Sequence, residues 1–207
     1  MNPEQFFKEF NTFVNAPNGI QKLRNYIYFL GSNGYLTNGV IEEESLKNHL
    51  PNSWQSLALS EVSEIVMGQA PPGNECNKNG IGTVFVKTGE FGERFPEVKE
   101  WTTKPLRMAY PGDVLICVVG ATAGKLNQSI ECAIGRSVAA IRPSEHLDSS
   151  YLYYFLQLKV LDLRNSSRGS AQRVITKVQL EKLIVPMPPL EEQERIVARV
   201  DELMELC

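Results

Sequence analysis

A chain of 207 residues with 43% hydrophobic and 22% charged residues has room for one substantial domain with helical appendages, and this composition excludes wholesale disorder and fibrous repeats. No apolar run approaches the roughly 20 residues a membrane helix needs, and Met1–Gln5 carries neither a basic nor an apolar signal region, so a cytoplasmic protein is expected. The formal net charge of −3 argues against nucleic acid, yet it is unevenly spread: Lys159–Lys182 has a local balance of +4, while Leu190–Cys207 has −4.

In chain order, Phe6, Phe10, Phe13 and Val14 follow helical spacing after Pro3, and Asn15–Gly19 breaks the pattern. A second helix is predicted with Ile20, Leu23, Ile27 and Leu30 on one face, ending near Gly31 and Gly34. Residues 35–52, with Glu42–Glu44 and Pro51, read as a polar connection. From Trp54 short β-branched runs separated by Gly, Pro and Asn predict strands at Leu57–Val62, Val84–Lys87, Val114–Val119 and Val138–Ile141. Met67–Gly82, with six glycines and prolines in it, reads as a long loop, a feature more often functional than idle. Ser149 or Ser150 is positioned to cap a helix over Tyr151–Leu158. Thr176 with Gln179 has capping-box spacing for a short helix to Leu183. Ile184–Pro189 is expected to be extended, since each proline disfavours helix in the residue before it. The last segment is a helix whose apolar stripe, Ile196, Val200 and Leu203 with Val197 and Met204 beside it, has the narrow spacing of a coiled-coil seam facing a partner.

Four phrases in this order resemble the specificity subunit of type I restriction–modification systems. Val185-Pro186-Met187-Pro188-Pro189-Leu190-Glu191-Glu192-Gln193-Glu194-Arg195-Ile196-Val197 is similar to the passage from recognition domain to conserved helix. Pro111-Gly112-Asp113-Val114-Leu115-Ile116, followed by Gly120–Lys125, resembles a glycine–aspartate segment of the family. Trp54 with Leu59–Val62 and Gly68 resembles the domain's start, and Asn18–Arg24 before Gly34-Tyr35-Leu36 resembles the N-terminal conserved stretch of some members. The resemblance implies an α/β (α+β) fold: a mixed, mostly antiparallel-strand target recognition domain over 51–188. N-terminal helices (1–50) and the start of a coiled-coil-type spacer helix (189–207) flank it. It further implies double-stranded DNA as ligand, with half of a bipartite target read by this domain. Implied partners are adenine methyltransferase subunits and the translocating nuclease subunit reached through the complex; separately, the heptad spacing of the C-terminal helix suggests a second copy of the chain as a partner. The competing expectation is a protein-interaction scaffold that uses that helix without touching DNA.

No chemistry of its own is legible. Ala70-Pro71-Pro72-Gly73 and Met187-Pro188-Pro189-Leu190 lack the polar first and aromatic last residues that hold a flipped adenine. Gly120–Leu126 has three rather than four residues between its glycines and no Ser/Thr after Lys125, so it is no nucleotide loop. Asp113 has no carboxylate and lysine companions for metal-dependent cleavage and reads as a turn residue. Cys76, Cys117, Cys132 and Cys207 have no zinc-site spacing; neither cofactor nor metal is expected. Base reading needs Arg, Lys, Gln or Asn on exposed loops. The candidates are Arg168, Ser170, Gln172 and Arg173 in one small-residue loop, Lys87, Thr88 and Arg94 past a strand, Lys125 in the glycine turn, and Gln69, Lys104 and Arg107. Trp101 and Tyr110 are candidate stacking groups.

Overall fold

The structure, a computed structural model, describes residues 16–37, 50–166 and 173–205. The expected helix over Phe6–Val14, most of the polar connection, and Arg168, Ser170 and Gln172 lie outside these residues.

Helix α1 (Gly19–Ser32) begins after Asn18, which adopts a left-handed conformation with φ 59°. Its buried face holds Ile27 of the expected stripe together with Tyr28 and Gly31, Leu23 packs partly buried against the same core, and Ile20 is 40% exposed. The face is turned toward Gly31 because helix α5 (Leu190–Glu205) lies against it: a Cβ at Gly31 would sit 3.1 Å from Ile196 and 3.3 Å from Val200.

The apolar run from Leu57 does not form one strand. Strand β1 (Gln55–Ala58) gives way to a single helical turn, α2 (Leu59–Val62), and then to β2 (Ser63–Met67). Leu59 and Val62 are both buried; three residues apart, they share a helical face but would oppose each other on a strand. Glu61 closes the turn by accepting from the Ala58 N–H at 2.6 Å. The expected long loop also carries structure, a 3₁₀ turn at Gly73–Glu75 and strand β3 (Cys76–Asn77).

The remaining strands are β4 (Thr83–Val86), β5 (Trp101–Thr102), β6 (Met108–Ala109), β7 (Val114–Cys117), β8 (Leu126–Gln128), β9 (Cys132–Ile134), β10 (Val138–Pro143) and β11 (Ile184–Met187). They form sheets of order β2-β10-β7-β8 and β3-β5-β4-β9-β6, with a two-stranded β1-β11 ribbon. Every pairing is antiparallel except β4 with β9, giving the mixed, mostly antiparallel fold expected. Along β7, Val114 and Ile116 enter one core and Leu115 and Cys117 the other, so the four-stranded sheet is covered on both faces.

Helix α3 (Ser149–Ser166) is longer than expected, and its cap is Asp148, whose carboxylate accepts from the Tyr151 N–H at 2.8 Å, rather than Ser149 or Ser150. Tyr151, Leu152, Phe155 and Leu156 fill the core beneath the four-stranded sheet. The capping box at Thr176 and Gln179 starts α4 (Lys177–Glu181), and the expected extended exit is β11, paired with β1. One hydrophobic cluster joins Ile27 of α1, Trp54, Tyr151 of α3, and Ile196 and Val200 of α5. Ile196 and Val200 are therefore buried inside the chain, each contributing about 2 kcal/mol, and do not face a partner as expected; Val197, Leu203 and Met204 remain half-buried.

Candidate nucleic-acid interface

Strand register gathers most of the nominated residues at one end of the two sheets. Strands β2, β4, β7 and β9 finish there and β10 begins there, because Met67 pairs with Ala139, Val138 with Cys117, and Val86 with Ile134. The chain beyond each finish supplies Gln69, Lys87 with Thr88, the Gly120–Lys125 turn, and Arg136. Arg107 enters from the start of β6, where the Ile134 N–H donates to its carbonyl at 2.9 Å. Arg173 joins because the Gly120 N–H donates to its carbonyl at 2.9 Å, beside a bridge between Val119 and Val174. Arg164, at the end of α3, reaches the carbonyls of Ala123 and Ala121 at 2.6 and 3.3 Å.

The opposite end is acidic. Glu64, Glu131, Glu145 and Asp148 lie there around a turn at Tyr110–Asp113, in which Pro111 and Gly112 (φ 94°) occupy the central positions. Asp113 is buried, accepts from the Tyr110 N–H at 3.0 Å and is gripped by both Nε and Nη2 of Arg142, each at 3.0 Å. This bears out a turn residue satisfying backbone donors, and the pairing holds the Arg142 pKa above its ordinary value. The charges of the −3 chain are thus unevenly spread along its strands, with the arginines at one end and these carboxylates at the other.

Individual side chains divide into engaged and free. Lys87 is ion-paired with Glu100 and lies over the Phe85 ring, and its hydrogen bond to Glu100 raises its pKa. Lys125 donates to the Phe91 carbonyl at 2.5 Å, and the glycine turn spends the N–H groups of Gly120, Ala123, Gly124 and Lys125 on its own carbonyls, Cys117 and Arg173. That turn is an ordinary connection of β7 to β8, not a phosphate cradle. Arg94 sits away from this end, bonded to Gln128 at 2.9 Å, 3.6 Å from Asp201 and over the Tyr154 ring, where it ties its loop to α5. Thr88 is half-buried at the start of a 3₁₀ turn. Tyr110 packs against Arg142 at the acidic end, and Trp101 is half-buried in β5, so neither is placed to stack on a base at the positive end. Gln69, Lys104, Arg107 and Arg173 are exposed.

Arg136, also exposed, escaped the sequence reading. It follows Gly135 and precedes Ser137, the same small-residue setting that drew attention to Arg168–Arg173, but a single arginine before a strand gives no density of donors.

Among the described residues no group of His, Cys, Asp or Glu is arranged to hold a metal ion, and no helix is long and apolar enough to cross a membrane. Cys117 and Cys132 are buried, and burial pushes both thiols up to about 11. Neither is expected to react with a thiol reagent at pH 8 until the chain is denatured; labelling of either in the folded protein, read by peptide mass, would contradict this placement.

Arg107, Arg136 and Arg173 thus lie at one end of the two sheets, remote from the acidic turn. Residues 51–207 match the family described as "Type I restriction modification DNA specificity domain", and the chain belongs to that family. It is 34% identical over 182 residues to a Methanocaldococcus jannaschii protein named as the MjaX type I restriction enzyme specificity subunit, covering 82% of this chain and 43% of that one. The EcoBI specificity subunit of Escherichia coli is 27% identical over 79% of this chain and 37% of its own length. Among solved structures, the HsdS subunit from Thermoanaerobacter tengcongensis superposes with a TM-score of 0.73 at 31% identity, over 98% of this chain and 47% of that one. The S subunit from M. genitalium shares the fold at 14% identity, with a TM-score of 0.64. The chain spans about half or less of the length of these relatives.

Proposed function

We infer that this chain reads one half of a split DNA target for a type I restriction–modification complex, with methylation of adenine and cleavage left to partner subunits. The observation that carries the reading is the gathering of Arg107, Arg136 and Arg173 at the end of the sheets remote from the acidic turn. Phosphate contacts from such residues supply affinity and orientation, and neighbouring base contacts supply sequence. The segments 1–50, 51–188 and 189–207 then differ in task while sharing a core: reading in the middle, positioning and subunit contact from the flanking helices. Such work places the chain with DNA in the cytoplasm. A scaffold that never touches DNA is disfavoured because Ile196 and Val200, the centre of its expected surface, are occupied within the chain. Association of two copies through α5 would be left with Val197, Leu203 and Met204, against repulsion between two acidic helices.

The test is titration of a labelled duplex at several salt concentrations. Arg107→Ala and Arg173→Ala are each expected to weaken binding to every duplex and to lower the slope of log K against log[salt] by about 1. Arg199→Ala, on the outer side of α5 beside Glu202, is the control and is expected to leave the slope unchanged. Equal effects from all three variants would remove the sheet end as the DNA surface.

A further inference from the structure

The cations at the positive end are not equivalent, and the difference separates those that build the fold from those left for a ligand. Lys87, Lys125 and Arg164 each spend their charged group on a protein acceptor. Among the described residues no hydrogen bond or ion pair holds the guanidinium of Arg136 or Arg107, or the amide of Gln69. These three are nevertheless rooted on one rigid point. The Ile134 carbonyl accepts from the Gln69 N–H at 3.0 Å, the Ile134 N–H donates to the Arg107 carbonyl at 2.9 Å, and the Gly135 N–H donates to the Val86 carbonyl at 3.0 Å. Arg136 itself occupies a turn closed by Val138 N–H to Gly135 carbonyl at 2.9 Å, and Ser137 is fixed by Val118 at 2.8 Å. Gly68 has no room for a side chain, and a Cβ at Gly135 would press on the Lys87 side chain at 3.1 Å, so the backbone around the three residues is closely packed.

Free polar heads on a fixed backbone are what base reading requires, since an ordered root limits the entropy lost when the head finds its base. Neighbouring strands lie about 4.8 Å apart, and base pairs rise about 3.4 Å, so three roots on adjacent elements span about two to three base pairs. Arginine forks match the O6 and N7 of guanine, and glutamine matches adenine.

We propose that Arg136 is a specificity-determining residue that reads a guanine in the major groove, with Arg107 and Gln69 reading or anchoring beside it. This rests on the reading of the chain as a DNA-binding module. Lysine carries the same charge without the planar fork, so Arg136→Lys separates base reading from phosphate anchoring.

The experiment is selection of bound duplexes from a random pool by the full chain, by Arg136→Lys and by Arg136→Ala, with sequencing of each pool. The unmodified chain is expected to enrich a motif containing one obligatory G·C pair. Arg136→Lys is expected to lose the preference at that pair alone and bind the preferred duplex at least about 10-fold more weakly. Its affinity for random duplex should stay within about twofold. Thermal midpoints should be unchanged, because the side chain is exposed and makes no contact that folding needs. An unaltered motif from Arg136→Lys overturns the proposal, as does equal weakening on all sequences from Arg136→Ala, which marks a phosphate anchor. DNA binding without any enriched motif overturns it while leaving the module a DNA binder. No binding at low salt overturns the functional reading itself.

Discussion

Replacing Gly68 by alanine is expected to destabilise the chain by about 3 kcal/mol or more and to weaken DNA binding even at temperatures where the fold survives. A Cβ there would lie 2.2 Å from the Gly135 carbonyl oxygen, 2.6 Å from that of Val138 and 2.9 Å from that of Ile134. All three are backbone atoms, so no rotamer change relieves the clash. The end of β2 must move away from the β9–β10 turn, which breaks the bonds from Gly68 N–H to Val138 and from Gln69 N–H to Ile134. The same movement displaces Gln69 from beside Arg136, which links the stability loss to the binding loss. For a chain of this size the midpoint of thermal unfolding should fall by about 10 °C. Gly73→Ala, with nothing within 4 Å of its Cβ, is the matched control and should melt like the parent. Indistinguishable melts for the two variants would contradict the packing described at this turn.

Gln193→Ala should cost about 3 to 4 kcal/mol in a urea titration, far beyond what its place on an outwardly polar helix suggests. The side chain is fully buried. Its Nε2 donates to the carbonyls of His146 and Pro188, both at 2.9 Å, and its Oε1 accepts from the Asp148 N–H at 2.8 Å. Truncation leaves three backbone groups without partners, each costing about 1 to 3 kcal/mol where water cannot reach. Gln193→Glu keeps the shape but points an acceptor at two carbonyls, and is expected to be no milder. Next to it, Glu192 accepts from the Thr37 hydroxyl at 2.8 Å and the Trp54 indole N–H at 3.1 Å. The most family-like phrase of the sequence is therefore a fastening: it pins α5 to Trp54 and to the loop before α3. A loss below about 1 kcal/mol for Gln193→Ala would show that the fastening is not needed.

These residues also show what the sequence reveals and what it conceals. Local signals were legible: the Thr176 capping box, the proline-held β11, the Pro111–Asp113 turn and the buried runs of β4, β7 and β10 all rest on neighbours within a few positions. The family, and with it the mixed fold, was legible from phrases in order. Two-residue strands such as β5 and β6 were not, because their pairing is decided by distant partners rather than by any run of their own. Leu57–Val62 misled because Leu57, Leu59 and Val62 suit a strand or a helical turn over so short a span, and the exposed Ser60 and Glu61 between them do not decide which. The site was half legible for a related reason. Residue type nominated Gln69, Arg107 and Arg173 as candidates, but only the fold shows Lys87 neutralised by Glu100 and Arg94 drawn to Asp201 more than a hundred positions away. It is likewise register, not composition, that brings Arg136 to the same end.

DNA is expected on the end of the sheets bearing Gln69, Arg107, Arg136 and Arg173. Amide hydrogen exchange of the full chain, with and without a saturating duplex at low salt, tests this placement most directly. Slowed exchange is expected at 68–70, 106–107, 119–124 and 135–137, with 61–64, 110–113 and 144–147 unchanged. Protection confined to the acidic end or to α5, with the positive end exchanging as in the free chain, would contradict it.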